Sequence, residues 1–164
     1  MAATLVHALK YGRWKELARP MGRAMVEPAR RLCRREANAP DLVPVPLAPA
    51  RRRDRGFNQA HHLARSLAEL TGWPLVPCLE RRGGGRRQAR LDRRGRLGNA
   101  MDRFHVPEPS RHGISRPARA VLIVDDVVTT GSTAAACARA LTQAGSRPVG
   151  VVSFARALRP LDGR

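Results

Sequence analysis

The run VLIVDDVVTTGST, Val121 to Thr133, constrains the fold more than any other stretch of the chain. Val121 to Val124 are apolar at every position, the pattern of a strand covered on both faces in a parallel sheet. Two aspartates and a Thr/Gly/Ser loop follow. An Ala-rich segment, Ser132 to Ala144, then has the composition of a helix, with Ser132 or Thr133 near its N-cap and Gly145 at its end. A buried strand, a polar loop and a helix in that order form one step of an α/β fold. Ligands of such sheets bind outside the carboxyl ends of the strands. Asp125 and Asp126 are therefore expected at a ligand.

The residues of the loop narrow the ligand further. Consecutive backbone N–H groups at a helix start suit a phosphate. Thr129, Thr130, Ser132 and Thr133 add hydroxyls, and Gly131 lets the backbone turn and approach closely. Two carboxylates repel a bare phosphate but accept hydrogen bonds from hydroxyl groups such as a ribose diol. The combination describes a sugar phosphate, with the diol on Asp125 and Asp126 and the phosphate along Val127, Val128, Thr129, Thr130, Gly131, Ser132 and Thr133. No G-x-x-x-x-G-K-[ST] run is present, and no G-x-G-x-x-G opens a helix. A helix-closing N-cap cluster explains one Asp and one Thr, but not the whole arrangement.

The other segments alternate in the same way. Residues 2 to 35 have a helical pattern, with Leu5, Leu9, Leu17, Met21, Met25 and Leu32 recurring and Gly12, Pro20 and Pro28 expected to break it. Its basic residues read as a solvated outer face rather than a membrane-surface helix. Asp41 to Leu47 is a short strand ended by its prolines. From Asn58 the pattern turns helical, with Ala60, Leu63, Ala64, Leu67 and Ala68 on one face, Asn58 as N-cap and Gly72 as stop. His61 and His62 are sequence neighbours without metal-site spacing, and both are expected at the surface. Pro74 to Glu80 is a candidate second strand, Phe104 to Val106 a short one, Arg119 to Asp125 the central one and Val149 to Phe154 the last. The fold class is α/β, a mainly parallel sheet flanked by helices. One domain is expected, with 1–36 a helical segment packed on the core and 37–164 the main unit.

Charge and cysteines bound the partners. The chain has 164 residues with 31 basic against 13 acidic, a formal net charge of +18, and only Lys10 and Lys15 among the basic residues are lysines. Such a charge favours polyanions: nucleic acid, anionic lipid or a small polyphosphate. Residues 81 to 99 contain eight arginines and five glycines and offer little to bury, so a mobile loop is expected there. Cys33, Cys78 and Cys137 are too far apart for a zinc site or a disulfide framework, and Cys137 reads as a small buried hydrophobe. The apolar run before Lys10 is too short for a signal peptide, and no segment approaches a membrane span, so a cytosolic protein is expected.

VLIVDDVVTTGST resembles the phosphoribosyl-diphosphate (PRPP) signature of the type I phosphoribosyltransferases. VPVPLAPARRRDRGFNQA, Val43 to Ala60, resembles the R-x-x-x-R-G-F-N-Q block of the competence protein F family. Gln88, Leu91, Arg96, Asn99 and Phe104 match that family's Q-x-x-L-x-x-x-x-R-x-x-N-x-x-x-x-F pattern, and LVHALKYG near the start matches as well. The resemblance implies a phosphoribosyltransferase-like fold and enzyme. Asp125 and Asp126 would be its catalytic, diol-holding pair, and the loop to Thr133 would hold the 5-phosphate. Pro46, Arg51 and Arg55 would bind pyrophosphate, with Arg53 nearby. The Arg/Gly-rich stretch, including Gln88, Arg96 and Asn99, would form a mobile hood.

Mg²⁺ is expected to arrive through PRPP rather than on protein ligands alone. The resemblance implies transfer to an unknown acceptor with release of pyrophosphate, and a link to competence. Two departures are visible. Typical relatives begin with a cysteine-rich zinc module, whereas this chain starts after the point where it would end. Relatives that salvage 6-oxopurines carry Asp where Thr129 stands, and Thr is no base at neutral pH, so hypoxanthine and guanine are less expected acceptors. Two rivals use the same residues differently: a nucleic-acid-binding competence protein with an Arg-rich surface, and a PRPP sensor without catalysis. No membrane partner is expected, and a homo-oligomer is compatible with the sequence.

Overall fold

The computed structural model describes residues 17–48, 56–81, 103–108 and 119–157. In chain order these form α1 (Ala18–Cys33), β1 (Asp41–Pro44), α2 (Gln59–Thr71), β2 (Glu80–Arg81), β3 (Phe104–His105), β4 (Ala120–Val128), α3 (Ser132–Gln143) and β5 (Arg147–Arg156). Three strands make a parallel sheet in the order β1-β4-β5, and β2 pairs with β3 in a separate antiparallel ribbon. The α/β class with a parallel sheet is thus the observed architecture.

The all-apolar stretch of β4 sits at the centre because both of its faces are covered. Leu122 and Val124 pack into one cluster with Met21, Met25, Leu63 and Leu67 of α1 and α2. Val121 and Ile123 pack on the other side with Ala136, Cys137, Ala140 and Leu141 of α3. This alternation within a continuous apolar run is the two-residue period of a strand serving two cores.

Several boundaries differ from the sequence expectations. Pro20 and Pro28 do not break α1. Pro20 lies in the first turn, where a missing N–H has no helical partner to lose. Pro28 removes one interior bond, but Met25, Ala29 and Cys33 continue the buried stripe through it. Leu32, expected on the apolar face, is 45% exposed; Ala18, Gly22 and Ala29 line that face instead. The small residues let helices approach: a Cβ on Gly22 would lie 2.5 Å from Ser66 Oγ of α2. The chelating pair of Glu36 with Arg147 ties the end of α1 to the start of β5.

Pro74 to Glu80 is not a full strand. Leu75 makes one parallel bridge to Leu42, with Leu42 N–H donating to Pro74 O and Val76 N–H to Leu42 O. Pro74 and Pro77 lack the N–H groups a longer ladder needs. Only Glu80 and Arg81 pair further on, as β2. The final strand is longer than expected, running from Arg147 to Arg156 and so matching β4 to its end.

Candidate functional site

β4 runs to Val128, three residues past the expected end, because Val127 and Val128 remain paired with Ala155 and Arg156. Asp125 and Asp126 are therefore the sixth and seventh of the nine residues of the strand, with Asp125 in register with Ser153. Asp126 N–H donates to Asp125 Oδ1 at 2.8 Å, and Val127 N–H donates to Asp126 Oδ1 at 2.9 Å. Each carboxylate is thereby oriented by the backbone of the next residue. Val127 packs with the α1–α2 cluster rather than with α3, so the strict alternation of β4 ends at the aspartates.

Asp125 lies on the α3 side. Burial pushes the Cys137 thiol up to about 12, with the Asp125 carboxylate adding to the effect and Arg81 opposing it. A thiol held neutral there is a packing group, in agreement with the reading of Cys137 as a buried hydrophobe.

The turn from β4 into α3 is built by Gly131, which has φ 77° and precedes the first helical residue. An L side chain is strained in that conformation, so glycine suits the position. The N-cap is Gly131 itself, not Ser132 or Thr133, and it makes no side-chain cap bond. Instead Thr130 Oγ1 accepts from Ser132 N–H at 3.4 Å and lies 3.1 Å from Ser132 Oγ. Thr129, Thr130, Ser132 and Thr133 are exposed. Thr129, Ser132 and Thr133, with Asp125, Val127, Val128, Gly131 and Ala134, line a cavity of about 20 Å³, whereas Asp126 and Thr130 do not line it. Asp125, Thr129, Ser132 and Thr133 thus meet at the head of α3, and Asp126 and Thr130 stand outside that point.

β1 ends beside this point. Pro44 is in register with Val124, and Val45 N–H donates to Val124 O at 2.9 Å. Asn58 holds the far side of the connection, accepting from Ala60 N–H as the N-cap of α2 while its Nδ2 donates to Val45 O at 3.0 Å. Pro46 follows on the wall of a second cavity, of about 660 Å³, that also includes Gly56, Phe57, His61, His62, Leu79 and Arg81. Arg51, Arg53 and Arg55, and the hood residues Gln88, Arg96 and Asn99, lie outside the described residues.

His61 and His62 are not simple surface residues. Both are half-buried on the cavity wall, the His62 ring edge-on to Phe57 at 5.5 Å and the His61 ring 6.2 Å from that of His62. The signal that could have found them is their place one residue beyond the Arg-Gly-Phe-Asn-Gln block, on the first turn of α2. Phe104, the last residue of the hood pattern, is buried, and the Arg81 guanidinium lies 5.7 Å from its ring centroid. Among the described residues, no helix is long and apolar enough to cross a membrane.

No protein-family model matches the chain. It is 35% identical over 162 residues to the DNA utilization protein YhgH of Salmonella typhi, an alignment covering 94% of this chain and 66% of the relative. Against YhgH of Escherichia coli (strain K12) the identity is 36% over 163 residues, with the same coverage. The competence protein ComFC of Bacillus subtilis (strain 168) is 34% identical over 113 residues, 69% of this chain and 42% of the relative. The chain spans just under two thirds of the length of the YhgH relatives. It is homologous to the YhgH and ComFC proteins over most of its own length, and that homology supports its membership of the competence protein F (ComF) family.

Proposed function

We propose that the chain binds PRPP at the carboxyl end of β4 and transfers its phosphoribosyl group to an acceptor, releasing pyrophosphate. The observation that carries this reading is the meeting of Asp125 with Thr129, Gly131, Ser132 and Thr133 around one point at the head of α3. An ionised carboxylate has about four lone-pair sites, so it can accept from a backbone N–H and from a ribose hydroxyl at the same time. The orienting bonds at Asp125 and Asp126 hold the carboxylates before any ligand arrives, which lowers the ordering cost of binding. The phosphate is assigned to the exposed hydroxyls and backbone N–H groups that open α3.

The reaction separates charge at C1 of the ribose as the bond to pyrophosphate breaks. Oxygen donors at the site, the Asp125 and Asp126 carboxylates among them, suit a hard cation such as Mg²⁺. When bound, that ion neutralises the departing pyrophosphate. Arg51 and Arg55 are assigned to the same anion by charge-assisted contacts. Replacing both aspartates, Asp125→Asn with Asp126→Asn, is expected to abolish PRPP-dependent pyrophosphate release while the thermal unfolding transition persists. Full release by that double variant would sink the reading.

A second reading, nucleic-acid binding, draws on a separate observation. Arg19, Arg23, Arg30 and Arg34 recur at spacings of four, seven and four, so they form one exposed stripe on α1 and the residue that follows it. The stripe spans roughly 22 Å at about 1.5 Å per residue. The acid beside it, Glu27, pairs with Arg31 at 3.0 Å. The apolar face of α1 is already buried against α2 and β5, which leaves the outer face for phosphates rather than for lipid insertion. The names of the relatives, DNA utilization and competence, agree with such a partner.

A further inference from the structure

Asn58 makes more than the single bond that its place before α2 requires. Its Oδ1 accepts from Ala60 N–H at 3.1 Å, and its Nδ2 donates to Val45 O at 3.0 Å, thirteen positions back in the chain. The two partners fix which end of the carboxamide is which, since an N–H needs the oxygen and a carbonyl needs the NH₂. Val45 is itself buried, and its N–H donates to Val124 O at 2.9 Å. Val124 immediately precedes Asp125. Both backbone polar groups of Val45 are therefore held, one by the strand that leads to the aspartates and one by the head of α2. Pro46 follows directly, and Arg51 and Arg55 stand between Val45 and Asn58 in the sequence. Beside Asn58 the chain is anchored again, because Phe57 is buried with the His62 ring edge-on to it at 5.5 Å.

We propose that Asn58 is a positioning residue for the pyrophosphate half of the site: by holding Val45 O it sets where the chain leaves β1, and so where Pro46 stands relative to Asp125. The proposal rests on the PRPP reading. A segment joined at both ends before a ligand arrives has less freedom to lose on binding than one joined through β1 alone. The residue type follows from the two bonds. Ser, Thr, Asp and Asn all favour an N-cap. Asp would set a carboxylate oxygen against Val45 O, and Ser and Thr are one bond too short to reach it. Asn is the member of that group that caps the helix and donates to the carbonyl together.

The test compares the full chain with its Asn58→Ser variant, which keeps a good N-cap, adds no charge and loses the bond to Val45. Calorimetry in the presence of Mg²⁺ measures three probes: PRPP, inorganic pyrophosphate and ribose 5-phosphate. In the variant, PRPP and pyrophosphate are expected to bind about five- to tenfold more weakly, the worth of one buried hydrogen bond. Ribose 5-phosphate, which carries no pyrophosphate, is expected to bind nearly as before, and that retained affinity also shows the variant to be folded. Unchanged affinity for PRPP and pyrophosphate would overturn the assignment. An equal loss for all three probes would overturn it as well, since Asn58 would then support the fold as a whole and not the pyrophosphate half. Failure of PRPP to bind the wild-type chain would instead overturn the reading beneath it, and the role of Asn58 with it.

Discussion

At the scale of single residues, neighbours fix the orientation of the two aspartates and keep the buried thiols protonated. Asp125 and Asp126 are oriented by the N–H of the residue that follows each of them. Cys78 and Cys137 are held as neutral thiols by burial, up to about 11 and about 12 from an ordinary value of 9.0. Because both folded values are raised, the unfolded thiols lose their protons first. Their contribution is fully present below about pH 9 and is lost as pH rises toward about 12. Unfolding midpoints in urea are therefore expected to fall between pH 8 and pH 10, and to fall less in Cys137→Ala. An identical fall in that variant would show that this thiol is not the titrating group.

At the scale of elements, α1 and α2 cross where Gly22 meets Ser66. Alanine in a helix interior gains about 1 kcal/mol over glycine, but overpacking costs roughly 1–3 kcal/mol, so overpacking wins here. Gly22→Ala is expected to lower Tm, and a rise would mean the helices part without cost. Much of this level was legible in the sequence. Asn58 and Gly72 bracket α2 as their residue types predict, since both act through local backbone geometry. Leu63, Ala64 and Leu67 fall on its buried face as their spacing requires. What depended on distant partners was not legible. Asn58 also bonds Val45 O, thirteen residues back. β4 outlasts its apolar run because β5 continues beside it. His61 and His62 look like surface polar residues until β1 and β2 close a cavity around them.

At the scale of the molecule, α1 carries a stripe of arginines on its outer face, apart from the proposed PRPP site at the end of β4. A single-stranded nucleic acid tracking that stripe would release about 0.7 counterions per phosphate neutralised. Replacing Arg19, Arg23, Arg30 and Arg34 with Gln is then expected to reduce the salt slope of oligonucleotide binding by roughly 3. An unchanged slope would remove α1 from the interface. The two readings are compatible in space, because α1 and the loop after β4 lie on different parts of the fold: α1 packs on α2 and β5, whereas the loop opens α3 on the opposite face of the sheet.

The most direct measurement is calorimetric titration of PRPP into the folded chain, with and without Mg²⁺, beside the Asp125→Asn, Asp126→Asn double variant. The account predicts binding that Mg²⁺ strengthens and that the double variant loses. Equal heats from both proteins, or no binding to the wild-type chain under either condition, would contradict it.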